Sequence, residues 1–252
     1  MKYPIGIQSF DQIIEDGYVY VDKTDLVYKL VKEGKIYFLS RPRRFGKSLL
    51  ISTLKSYFQG KKDLFKGLAI DKLETEWAEY PVFHIDFNGG FFDKDGELQK
   101  RIMGYVETWE SQWGKDPFNE EIGMRFAYVL KQAHAKTGKR AVVLIDEYDK
   151  PLLDVIDTGN KGVLNGEETK LEDIHRGMLK ALYGVFKLAD SDLQFVLLTG
   201  VTKFSQVSVF SGFNQPDDIS MSGKYEALCG ITKDELLSVF DEPIHELAAK
   251  LR

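Results

Sequence analysis

The chain has 252 residues, of which 43% are hydrophobic and 29% charged, and a formal net charge of −5. That balance suits a globular chain with a sizeable core, one large α/β domain or one and a half smaller ones, and argues against direct nucleic-acid binding over its surface. A single cysteine, Cys229, excludes an internal disulfide and fits a reducing cytoplasm; no apolar run reaches the ~18 residues of a membrane span, and Met1-Lys-Tyr-Pro-Ile-Gly6 is no secretion signal.

Residues 1–23 precede any helix of clear period. Ile5, Ile7, Phe10, Ile13 and Ile14 supply apolar anchors, and Tyr18-Val-Tyr-Val-Asp22 alternates as a short extended segment does. Residues 24–33 read as a helix: Thr24 is its expected N-cap, Leu26, Val27, Leu30 and Val31 share one face, and Gly34 stops it.

Next comes Ile36-Tyr-Phe-Leu-Ser-Arg-Pro-Arg-Arg-Phe-Gly-Lys-Ser48, an apolar strand and a loop, with a helix from Gly46-Lys47-Ser48 that carries apolar residues at 50, 51, 54, 57 and 58. Strand, loop, Gly-Lys-Ser and helix form the context of a phosphate-binding P-loop. Unpaired N–H groups at a helix start carry partial positive charge and attract phosphate. Gly46 permits close backbone approach, Lys47 reaches the β/γ-phosphates and the Ser48 hydroxyl ligates Mg²⁺. The residues expected on the nucleotide are Arg43, Arg44, Phe45, Gly46, Lys47, Ser48 and Leu49. The pattern departs at Arg41, where the motif has a glycine, and Pro42 stiffens the same turn. A basic surface turn leading into an ordinary helix fits the same residues, so a second motif has to decide.

Pro81-Val-Phe-His-Ile-Asp-Phe87 is a strand closed by Asn88-Gly-Gly90; His84 reads as a core histidine and Asp86 as a turn acid. Residues 96–113 and 118–135 have helical spacing, and Trp109 and Trp113 read as a packing face. The deciding motif follows: Arg140-Ala-Val-Val-Leu-Ile-Asp-Glu-Tyr-Asp149, a buried strand ending in acids at the edge where open α/β sheets bind ligands. Asp146 is placed to hold Mg²⁺ and Glu147 to polarise the attacking water. Acids also follow buried strands simply as turn residues.

Asp157-Thr-Gly-Asn-Lys-Gly-Val-Leu-Asn-Gly166 reads as a flexible surface loop, 169–189 as a long helix, and Leu193–Gly200 as a fourth strand. Thr199 at its end is either a γ-phosphate sensor or a strand cap. Residues 204–229 are rich in Ser, Gly and Asp, with a short fifth strand expected at 218–221. Thr232 and Glu235 have capping-box spacing at the start of a last helix, which Pro243 interrupts, and Ile244, Leu247 and Leu251 stay in helical phase up to the chain end.

Strands alternating with helices predict an α/β fold: a P-loop NTPase three-layer sandwich with a mainly parallel sheet, and the Asp-Glu strand beside the P-loop strand. The expected domains are 1–230, including the N-terminal segment 1–23, and 231–252, the start of a truncated helical lid or C-terminal domain.

Five blocks carry a family resemblance: Tyr20-Val-Asp-Lys-Thr24, Ser40-Arg-Pro-Arg-Arg-Phe-Gly-Lys-Ser48, Leu144-Ile-Asp-Glu-Tyr-Asp-Lys-Pro151, Leu198-Thr-Gly-Val-Thr-Lys-Phe-Ser205 and Phe210-Ser-Gly-Phe-Asn214. On these the chain resembles the bacterial AAA-ATPase-like proteins, P-loop ATPases related to AAA and STAND proteins, many with a C-terminal PD-(D/E)XK nuclease domain. Arg41 belongs to that resemblance. It implies ATP and Mg²⁺ as cofactors, Lys47 and Ser48 on the phosphates and Mg²⁺, Asp146 on Mg²⁺, and Glu147, Lys47 and Thr199 as the catalytic set. It also implies that the segment before the first strand, residues 1–23, can lie over the adenine, and as receiver of the nucleotide state either a homo-oligomer or a nuclease or effector domain beyond residue 252. Two function classes stay open, an Mg²⁺-dependent ATPase and a non-hydrolysing nucleotide switch. A small-molecule kinase is disfavoured, since Asp146-Glu147 suits water activation and no acceptor motif stands out.

Overall fold

The computed structural model describes residues 2–203 and 216–250. Its strands are β1 (Ile36–Ser40), β2 (Val82–Asp86), β3 (Ala141–Asp146), β4 (Lys161–Leu164), β5 (Glu167–Lys170), β6 (Leu193–Gly200) and β7 (Asp217–Asp218). Its helices are α1 (Phe10–Glu15), α2 (Thr24–Glu33), α3 (Lys47–Phe58), α4 (Glu97–Trp113), α5 (Ile122–Thr137), α6 (Lys150–Leu153), α7 (Leu171–Leu188), α8 (Lys233–Val239) and α9 (Asp241–Lys250).

Five strands form a parallel sheet in the order β2-β3-β6-β1-β7. Its central strands are apolar on both faces because both faces are covered. Ala141, Val143 and Ile145 of β3 join Phe83, Ile85, Val196 and Leu198 in a core with α4, α5 and α7. Val142 and Leu144, one residue out of phase, pack with Tyr37, Leu39, Phe195 and Leu197 against α1, α2 and α3. The three-layer α/β sandwich is as expected. Trp109 and Trp113 pack as expected too, against Phe83.

One topological detail is corrected. The Asp-Glu strand β3 is not beside the P-loop strand β1, because β6 lies between them. β6 aligns with β1 from Ile36↔Val196 to Ser40↔Gly200 and with β3 on its other edge. Eight residues long and buried at all but one position, it can satisfy hydrogen-bonding neighbours on both sides, so it takes the centre of the sheet.

Other departures have local causes. Residues 157–166 are not simply a loop: β4 and β5 form an antiparallel hairpin across Asn165 and Gly166, both at positive φ, +53° and +86°, the geometry that favours Asn-Gly in two-residue turns. Asp95 holds the hairpin by accepting the Val163 N–H at 3.0 Å. α5 starts at Ile122 rather than 118, and Asp116 instead accepts the Phe118 N–H at 2.9 Å, a local turn that competes with helix there. Phe118 is exposed. α1 was not expected; Ser9 caps it, and Phe10 and Ile13 are fully buried. Thr24 is the first residue of α2 rather than its cap, and gives both its N–H and its hydroxyl to Asp22. The short strand of the 218–221 region comprises Asp217–Asp218, followed by a 3-10 turn. The capping box of Thr232 and Glu235 is present at α8. Asp86 is a turn acid that accepts the Asn88 N–H, and His84 is a half-buried sheet residue whose Nε2 has no partner among the described residues. Burial lowers the pKa of His84, favouring the neutral ring.

Between α4 and α5 lies a buried ion pair. Arg125 donates to both carboxylate oxygens of Glu110, at 2.8 and 2.7 Å, with the two side chains 5% and 6% exposed. The guanidinium holds the Glu110 carboxyl below its usual range. Arg125→Ala is expected to lower stability by about 3–5 kcal/mol, because it strands a buried carboxylate. Urea unfolding checks this; an unchanged midpoint and slope would mean that the pair is energetically idle.

Candidate functional site

β1 ends at Ser40 and α3 begins at Lys47. The loop between them turns through two left-handed residues, Arg44 (φ +66°) and Gly46 (φ +85°). No atom lies within 4 Å of a Cβ built on Gly46, so the backbone angle, not crowding, asks for glycine there. The first N–H groups of α3 have no helical acceptor and form an anion-attracting end. Lys47 is buried, with its ammonium folded onto the carbonyl oxygens of Arg41 (3.1 Å) and Pro42 (3.3 Å).

Arg41, where the motif has a glycine, turns its guanidinium away from the loop. It donates to the carbonyls of Ser220 and, at 3.2 Å, Ser40, while its N–H reaches Gly200 O at 3.1 Å. Its charge is spent on the backbone at the β7 side of the sheet. Arg43 and Arg44 are exposed and stay on the loop's open side.

At the end of β3, Asp146 is buried, and its Oδ1 accepts the Thr199 hydroxyl at 2.5 Å and the Glu147 N–H at 3.1 Å. Thr199 is fully buried, so its hydroxyl is committed to Asp146. Glu147 has a left-handed backbone (φ +52°) and a half-buried side chain. Burial, and then the Asp146 charge, raise its pKa, against the pull of Lys47 and Arg43.

These ends meet on one cavity of about 1010 Å³, whose wall includes Arg43, Arg44, Gly46, Lys47, Ser48, Leu49 and Glu147. Asp146 and Thr199 are not on that wall. Pro4–Gln8 and Asn88-Gly89-Gly90-Phe91 complete it, with Lys150. Sequence reasoning expected the segment 1–23 near the nucleotide but did not place Asn88–Phe91 or Lys150 there, although a Gly-Gly pair at the C-terminal edge of β2 was a usable signal.

A second cavity of about 270 Å³ lies on the other flank of the loop and shares Arg44, Gly46 and Leu49 with the first. Phe45, Val19, Tyr20, Val21, Leu228 and Ile231 make it mostly apolar. Both ends of the described chain close it, with Tyr3 stacked on Phe240 at 6.0 Å and Lys23 ion-paired to Glu235. Burial pushes the Cys229 thiol in this wall up to about 11.

Mg²⁺ takes hard oxygen ligands, usually one or two carboxylates plus phosphate oxygens, rather than an all-protein cage. The chemistry of the donors suits that ion: the Ser48 hydroxyl on the cavity wall and Asp146 Oδ2 off it make no hydrogen bond among the described residues. No group of three or more His, Cys, Asp or Glu side chains placed to hold a metal occurs among those residues.

A family model described as "Predicted AAA-ATPase" matches residues 4–210. The chain belongs to this AAA-ATPase-like family. Membership points to nucleotide binding. A protein of Azotobacter chroococcum mcd 1, described as an uncharacterized protein in the vnfD 5' region, is 43% identical over 241 residues, which is 95% of this chain and 45% of that protein. The chain thus spans less than half the length of that relative. No solved structure matches. No helix among the described residues is long and apolar enough to cross a membrane. Of the resemblance blocks, Phe204-Ser205 and Phe210-Ser-Gly-Phe-Asn214 lie outside the described residues. Leu251 does too.

Proposed function

We propose that this chain binds Mg²⁺-ATP and hydrolyses it, and that its nucleotide state is passed to a second copy of the chain or to an effector domain beyond residue 252. The observation that carries this is the facing pair: Lys47 and Ser48 at the start of α3, and Glu147 at the end of β3, on one cavity. The triphosphate lies in the larger cavity along the α3 N-terminus, where Lys47 exchanges two carbonyl contacts for phosphate oxygens. The base fills the apolar cavity lined by Tyr20, Val21 and Phe45, with Gly46 and Leu49 on the walls of both spaces. Ser48 and Asp146 would hold Mg²⁺, which would supply neutralisation of phosphate charge. Glu147 takes a proton from the attacking water. Thr199 acts through Asp146, whose oxygen it orients, rather than on the γ-phosphate.

We assign 1–230 to the ATPase domain and 231–252 to the start of a lid or following domain, with Lys23–Glu235 as the tie between them. We also propose a cytoplasmic location, with which a single cysteine, unable to form an internal disulfide, is compatible. Phosphate release from ATP, with Mg²⁺ and with the metal chelated, tests the proposal. Saturable, Mg²⁺-dependent release is expected. Tight binding without release would leave a nucleotide switch, the alternative that Arg41 first suggested.

A further inference from the structure

Asp149 is the third acid of the Asp-Glu-Tyr-Asp run, and neither phosphate binding nor water activation uses it. It is 1% exposed. Its Oδ2 accepts three donors from the exit of β6: the N–H of Val201 at 3.0 Å, the N–H of Thr202 at 2.7 Å and the Thr202 hydroxyl at 2.8 Å. Its Oδ1 is buried without a partner among the described residues. A Cβ on Gly200 would come within 2.8 Å of that oxygen and 2.4 Å of the Tyr148 ring, so glycine is needed for the approach.

The neighbours of Asp149 repeat the connection. The Tyr148 N–H reaches Thr199 O at 2.9 Å, and its hydroxyl donates to Thr202 O at 3.0 Å. Glu147, with its left-handed backbone, sits between Asp146, held by Thr199, and the Tyr148–Asp149 pair, held by Thr199 to Thr202. Gly200, at the centre of the β6 exit, also accepts the Arg41 N–H from the start of the phosphate loop. A left-handed glutamate is strained and persists only where its surroundings over-determine it.

The geometry points to Asp149 as a positioning residue: as a triple acceptor it clamps the β6 exit, and thereby fixes the backbone that aims Glu147 into the cavity. This rests on the hydrolytic reading proposed above. It acts through Val201, Thr202 and Glu147, and does not touch the nucleotide.

The test compares Asp149→Ala, Asp149→Asn and Thr202→Val with the parent chain, reading ATP turnover, Mg²⁺-ATP affinity and hydrogen exchange of the Val201 and Thr202 amides. Asparagine keeps one carbonyl oxygen to accept the three donors; alanine keeps none. In Asp149→Ala, kcat is expected to fall about a hundredfold while Kd and KM hold within about twofold. Both amides exchange faster. Asp149→Asn restores protection and most of kcat. Thr202→Val, which removes one donor and no acceptor, gives a smaller fall in kcat and stands in for alanine if that variant does not fold. Parental kcat in the alanine variant overturns the proposal. So does an asparagine variant as damaged as alanine, or a Kd that weakens in step with kcat. A parent chain without turnover sinks hydrolysis itself; the amides then judge the clamp, and unchanged exchange in Asp149→Ala overturns it.

Discussion

Glu147→Gln is expected to lower ATP turnover by about a hundredfold or more while Mg²⁺-ATP binding is kept, the usual range for removing a positioned general base. Glutamine preserves the size of the side chain and one acceptor oxygen, but its other oxygen becomes an N–H donor and it cannot take a proton. Glu147 lines the phosphate cavity and is half-buried. Its carboxyl is raised by burial and by Asp146, as suits a group that must accept a proton rather than merely repel phosphate. Phosphate release under single-turnover conditions, with affinity measured in parallel, separates chemistry from binding. A glutamine variant that turns over at the parental rate would remove Glu147 from the chemistry and leave the Asp-Glu run as turn acids.

Lys47→Ala is the second large effect. Its ammonium is buried, no carboxylate among the described residues pairs with it, and its contacts are two carbonyl oxygens at 3.1 and 3.3 Å. Such a cation is already desolvated and gains most when a phosphate arrives. Losing one charged hydrogen bond costs about 2–3 kcal/mol, which is about 30–150-fold in Kd. Alanine keeps the helix, so the fold should survive and circular dichroism should be unchanged. Equal affinity in parent and variant would mean that the loop carries no nucleotide.

Much of this was legible because local pattern and tertiary role coincide. Gly46-Lys47-Ser48 after an apolar strand, and Asp146-Glu147 after another, lie at sheet edges whatever the strand order. The strand order was not legible. Placing β6 between β1 and β3 depends on which apolar run best satisfies two neighbours, and that is a property of the whole sheet. α1 was missed because six residues show too little period, although Ser9 was a usable cap. The hairpin is masked because its Asn165-Gly166 turn sits in a stretch rich in glycine and polar residues, a composition shared with open loops. Arg41 was read from its position in the motif, whereas its side chain serves Ser40 and Ser220. The Asp149 clamp had no signal in spacing at all, since its donors come from residues more than fifty positions away.

The most direct test of the central claim is calorimetric titration of the chain with ATP in the presence of Mg²⁺, repeated with Lys47→Ala. A saturable one-site isotherm in the parent, weakened about 30–150-fold in the variant, is the expected result. No saturable binding in the folded parent would contradict the nucleotide site itself.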